Sequence, residues 1–106
     1  MCQYQQLASH ENGYIIRCIE CRHYQVHFAR MILTLSEQEF LQLYKELESM
    51  KARIFEEQVL VLKTPKKGVH LVLSDTDLVR FCEMAEIADN EIKAQHLLEL
   101  FNSDAS

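Results

Sequence analysis

The spacing of apolar residues divides this chain into segments of two different periods. From Tyr4 to Ser9 and from Tyr14 to Cys18 the apolar positions roughly alternate, and His10-Glu11-Asn12-Gly13 separates the two runs. Asn-Gly between such runs is a strong hairpin signal, because both central residues of a type I′ turn need positive φ. With Asn12 and Gly13 as the turn, Glu11 faces Tyr14, His10 faces Ile15 and Leu7 faces Cys18. His23 to Phe28 alternates again and Met31 to Leu35 is strongly apolar. The two together read as one strand, interrupted near Ala29-Arg30.

The period then lengthens. Ser36-Glu37-Gln38-Glu39 is a capping box, in which the serine hydroxyl takes an orphan backbone N–H and Glu39 reaches back. Phe40, Leu43, Tyr44, Leu47, Met50 and Ile54 follow at three-and-four spacing, which predicts an amphipathic helix of about four turns. Phe55 to Leu62 returns to a strand, Thr64 to Gly68 turns it, and Val69 to Leu73 is its partner. Ser74-Asp75-Thr76-Asp77 opens a second helix whose inner face is Leu78, Phe81, Cys82, Ala85 and Ala88. Asp89-Asn90-Glu91 is a place for a kink or a restart. Ile92, His96, Leu97, Leu100 and Phe101 then make another apolar stripe.

These elements define an α+β fold: a mostly antiparallel sheet of four or five strands with two or three helices on one face. Leu33-Thr34-Leu35-Ser36 and Leu71-Val72-Leu73-Ser74 match at an offset of 38, as a duplicated β-β-α unit would. At 106 residues the chain reads as one compact domain over 1–106. Residues 1–30 form an N-terminal hairpin and Cys-x-x-Cys region, and 31–102 a β-α-β-β-α core.

Composition narrows the function classes. Hydrophobic residues at 48% and charged residues at 25% are those of a globular protein rather than a disordered one. No run approaches the ~18 apolar residues of a membrane span. No basic-then-apolar leader pattern opens the chain, which predicts a cytoplasmic protein whose four cysteines are thiols or ligands rather than disulfides. The net charge is −5, with +1 over residues 1–35 and −6 over the remainder. A chain of that balance is not expected to bind nucleic acid, which calls for a basic face.

The chemistry-bearing stretch is Arg17-Cys18-Ile19-Glu20-Cys21-Arg22-His23. Two cysteines two residues apart can turn both sulfurs to one side of a tight reversal, which is half of a tetrahedral thiolate site. The hairpin register carries Cys2 toward Cys21 and His23, so Cys2, Cys18, Cys21 and His23 form a candidate structural zinc set. His10 is the alternative fourth ligand, about three residue pairs or ~10 Å from Cys18. Two other readings stay open: plain thiols, partly buried as small hydrophobes, and a redox pair serving a thiol redox factor or small enzyme. A redox pair belongs at a helix N-terminus, and this one lies between strands. No phosphate-binding glycine loop, serine elbow or helical His-Glu-x-x-His is present, and no catalytic residue is assigned.

Cys2, the Gly13-Tyr14 pair, Cys18-x-x-Cys21, Leu33-Thr34-Leu35-Ser36 and the ending Ala94-x-x-Leu97-Leu98-x-Leu100-Phe101 together resemble a family of small bacterial proteins, a domain of unknown function. The resemblance covers nearly the whole chain and implies no activity. It points away from a well-known enzyme, and the residues themselves favour a small non-catalytic module that binds a protein partner or itself. The surface such a module would use is the C-terminal helix. Leu97 and Leu98 are adjacent and point about 100° apart, so one narrow stripe cannot bury both. A homodimer, or another protein partner, would cover the second face.

Overall fold

The computed structural model of the chain describes residues 3–11, 13–53 and 60–104. Strands β1 (Tyr4–His10), β2 (Gly13–Cys18), β3 (Tyr24–Phe28) and β4 (Met31–Leu35) form an antiparallel meander in that order. Helix α1 (Glu37–Lys51) follows, then the hairpin β5 (Leu60–Lys63) and β6 (His70–Leu73), and finally helix α2 (Asp75–Asp104). The class is α+β. The strands, however, are divided between a sheet of four and a separate sheet of two among the described residues. Ile54 and the start of the strand expected from Phe55 lie outside the described residues.

Local chemistry places the helix starts. The Ser36 hydroxyl accepts from the Glu39 N–H at 3.2 Å, and the Glu39 carboxylate accepts from the Ser36 N–H at 2.9 Å. Those backbone and Lys66 hydrogen bonds favour the ionised carboxylate and lower its pKa. At α2 the Ser74 hydroxyl accepts from the Asp77 N–H at 3.1 Å. Between β5 and β6, Gly68 takes φ 80 where a side chain would be strained.

Two strand connections depart from the sequence reading. Gly13 pairs with His10 as a strand residue, Ala8 with Ile15, and, beyond a bulge between Gln6 and Ala8, Tyr4 with Cys18. The glycine is required by tertiary approach: a Cβ there would run into the His27 carbonyl oxygen of β3. The bulge lets consecutive residues Leu7 and Ala8 both lie buried. The other departure is Ala29-Arg30, which is a hairpin turn joining two strands, with Phe28 paired to Met31. Ala29 sits at φ 55, a left-handed conformation that costs a residue with a Cβ about 1–2 kcal/mol.

The core lies between the meander and the two helices. Ile15, Val26 and Leu33 face one another across β2, β3 and β4, and all three are buried. Phe28 stacks on Phe81 of α2 at 4.5 Å, and Tyr24 on Phe40 of α1 at 4.8 Å. Each such large side chain contributes about 1.5–3 kcal/mol by leaving water. The two segments at the 38-residue offset occupy like places: Leu35 and Leu73 end hairpins, Phe40 and Leu78 begin helices, and all four are buried.

α2 does not break at Asp89-Asn90-Glu91. Asp89 falls on the buried face, and its carboxylate meets the Lys93 ammonium at 2.8 Å one turn on. The 30-residue helix is about 45 Å long, and it sets the molecule's 54 × 28 × 26 Å extents. The radius of gyration, 14.9 Å, exceeds the ~13 Å of a compact chain of this size. The end of α2 reaches past the core.

Candidate functional site

β2 ends at Cys18 and β3 begins at Tyr24, so the cysteine pair occupies the turn between them. The turn is closed by backbone bonds from the Cys18 N–H to the His23 carbonyl and from the Arg22 N–H to the Cys18 carbonyl, both 2.9 Å. Arg22 takes φ 61, which reverses the chain directly after the second cysteine. The Cys21 N–H donates to the Cys18 sulfur at 3.5 Å. Cys18 is buried, and Cys21 and His23 are exposed.

The remaining sequence candidates divide by position. The Gln3 carbonyl accepts from the Ile19 N–H at 2.9 Å, which fastens the start of β1 beside the cysteine turn. Cys2 itself lies outside the described residues. His10 stands opposite Gly13 at the far end of β2 from Cys18. That is five residues along the strand, roughly 16 Å, rather than the three pairs expected; the shifted register is the reason. Among the described residues no three His, Cys, Asp or Glu side chains gather as a metal site, so the four-ligand set turns on Cys2. No disulfide joins any two of Cys18, Cys21 and Cys82. Cys82 lies in the core with its thiol toward the Leu47 carbonyl, and burial pushes its pKa up to about 11.

Beside the cysteine turn, sequence reasoning missed a polar cluster. Arg17, from β2, donates to the Gln95 side-chain oxygen of α2 at 2.6 Å and sits 3.5 Å from that of Gln5. Arg17 shares a cleft of about 270 Å³ with Tyr24 and Glu37. The Tyr24 hydroxyl and the Arg17 Nε are both buried, and the hydroxyl faces the Arg17 guanidinium. Burial raises the Tyr24 pKa, and the nearby Arg17 guanidinium opposes that rise. Arg17 and Gln95 are 78 positions apart, so no spacing could have announced the pairing.

The outer end of α2 is the other unusual surface. Leu97, Leu98 and Phe101 are 56%, 61% and 69% exposed. An adjoining groove of about 430 Å³ is lined by Ile92, Leu97 and the side chains of Glu37, Lys93 and His96. No described helix is long and apolar enough to cross a membrane.

A four-stranded meander backed by a capped helix, a hairpin and a long terminal helix defines a small α+β domain with a cysteine turn at one sheet end. The chain belongs to the family of unknown function DUF6686, whose family model matches residues 1–104. No curated protein and no solved structure matches it.

Proposed function

We propose that this chain is a non-catalytic interaction module that pairs with a second copy of itself through the outer end of α2. The observation that carries the reading is the exposure of both Leu97 and Leu98, together with Phe101, on a helix end that reaches past the core. Residues pointing about 100° apart are wet at once, so neither is the core stripe of a helix lying in a cleft. The groove at Ile92 and Leu97 lies next to Phe101's stretch of helix, and a twofold pairing would let each copy's Phe101 enter the other's groove. Light scattering across micromolar concentrations tests it. The expected result is a mass that rises toward a dimer, and a Leu98→Glu variant that stays monomeric. A concentration-independent monomer mass contradicts the reading.

A second reading concerns the cysteine turn. We infer that Cys18 and Cys21 supply two ligands of a structural zinc, with Cys2 and His23 as the further pair and His10 the weaker alternative. The N–H donated to the Cys18 sulfur and the reversal at Arg22 support it, because both hold the pair in a thiolate-binding turn. Metal analysis of untagged protein should find about one zinc per chain, and Cys21 should react with a thiol reagent only after chelation. Metal-free protein whose Cys21 reacts without a chelator would favour a redox factor or small enzyme, or plain thiols.

A further inference from the structure

The two cysteines of the turn between β2 and β3 differ in exposure and share one reversal of the chain. Cys21 is exposed, whereas Cys18 is only 1% exposed. The bond from the Arg22 N–H to the Cys18 carbonyl closes the turn, and the Cys18 sulfur lies 3.5 Å from the Cys21 nitrogen. α-Carbons three positions apart in a tight turn lie within about 7 Å of each other, the range over which a disulfide can close. The turn joins two strands and opens no helix, so it lacks the setting of a disulfide-exchange catalyst. What it offers is an accessible thiol with a second thiol at hand, the arrangement in which a sulfenic acid is captured as a disulfide. Cys82 has neither feature, being buried in the core with its thiol toward the Leu47 carbonyl.

We propose that Cys21 and Cys18 form a peroxide-reactive pair, in which Cys21 meets hydrogen peroxide and Cys18 resolves the product. In the first step the Cys21 sulfur attacks the peroxide. An S–O bond forms, the O–O bond breaks, and the departing oxygen takes the thiol proton and leaves as water. In the second step the Cys18 sulfur attacks the Cys21 sulfenic acid. The S–S bond forms, the S–O bond breaks, and a second water leaves with the Cys18 proton. The two thiols together lose two electrons and two protons, and the peroxide gains them. The order follows from burial, since the Cys18 side chain is closed to an oxidant in solvent. Oxidation would also regulate the zinc site proposed above, on whose cysteine pair the inference rests, because a disulfide offers a metal no thiolate.

The test treats the full chain with a small excess of hydrogen peroxide after its metal content is measured and any metal is removed with a chelator. Remaining thiols are blocked and the cysteines are mapped by mass spectrometry. Trypsin cuts after Arg17 and Arg22 and releases Cys18–Arg22, a peptide that holds both sulfurs. The expected result is that this peptide becomes lighter by two hydrogens, and that dithiothreitol restores it. Cys21→Ser, at an exposed position, should slow oxidation of Cys18 by about tenfold or more relative to the pair. Cys18→Ser should leave Cys21 as a sulfenic acid that dimedone traps, and Cys18→Ala replaces it if the serine variant does not fold. The proposal is overturned if the wild-type peptide stays reduced, or if Cys21 pairs with Cys2 or with a second chain instead. It is also overturned if Cys21→Ser oxidises as fast as the wild type, or if the folded Cys18 variant gives no dimedone adduct. Metal content is decided separately. A chain without zinc that forms the disulfide supports this inference and sinks the zinc reading, and a zinc-bearing chain whose stripped form stays reduced does the reverse.

Discussion

The two halves of α2 share one helix and live in different surroundings. From Leu78 to Asp89 the helix packs Leu78, Phe81, Cys82, Met84, Ala85 and Ala88 into the core. From Ile92 onward it carries a comparable apolar load, yet among the described residues only Ile92 of that set packs against the core. An isolated helical segment of about a dozen residues is marginal in water, and it is held by whatever covers its apolar face. The first half has that cover within the chain. The second half lacks it among the described residues, and the proposed second copy rests on that difference.

Substitutions in the two halves should separate sharply. Phe81→Ala removes a fully buried ring stacked on Phe28 and should cost about 3–5 kcal/mol of stability in denaturant unfolding. Phe101→Ala, at a surface position, should change monomer stability by no more than about 0.5 kcal/mol. If both cost the same, the halves are not energetically distinct. Gly13→Ala probes the sheet beneath the buried half. Its Cβ meets the His27 carbonyl oxygen, and the forced shift should cost about 1–3 kcal/mol in the same assay.

The buried half also carries a pH signature. Burial holds the Cys82 thiol protonated up to about 11, whereas its ordinary value is 9.0. Between those two values the unfolded chain has given up a proton that the native chain keeps, so stability falls as pH rises. The loss should be of order 1–2 kcal/mol and should shrink in Cys82→Ala, as read from unfolding curves at pH 8 and 11. Tyr24 and Tyr44, both raised chiefly by burial, leave a residual slope of the same sign. At the acid end, Glu39 is lowered by its backbone partner Ser36, so the cap's contribution is present above the ordinary carboxylate range and fades as pH falls through the Glu39 value. Ser36→Ala removes the hydroxyl but keeps the N–H that Glu39 accepts from, so it should cost about 1 kcal/mol at neutral and acid pH alike. The part that fades in acid belongs to the Glu39 charge and should be absent in Glu39→Gln, as read from unfolding curves at the two pH values.

The same contrast explains what could be read from residues alone. Both serine caps were legible because capping is settled within four residues, and the apolar stripes of α1 and the first half of α2 were legible by period. Gly13 was misassigned because its need for a missing side chain comes from β3, and nothing beside it in sequence says so. Ala29-Arg30 was read as an interruption because neither residue advertises a left-handed turn. The strand count followed from that error. At the candidate sites, the cysteine turn was visible as a motif. The Arg17–Tyr24–Gln95 cluster was not, because tertiary packing alone joins residues so far apart. The adjacency of Leu97 and Leu98 announced that one of them would be partly exposed; that both are, together with Leu100 and Phe101, follows from how far α2 extends and was not legible in the spacing.

The central claim is that a second copy covers the outer half of α2, and hydrogen–deuterium exchange at several protein concentrations tests it most directly. Amides from Leu78 to Ala88 should be protected to the same degree at every concentration. Amides from Ile92 to Phe101 should exchange quickly in dilute protein and become protected as concentration rises, with Leu98→Glu abolishing the change. Protection of Ile92 to Phe101 that is independent of concentration would contradict the account.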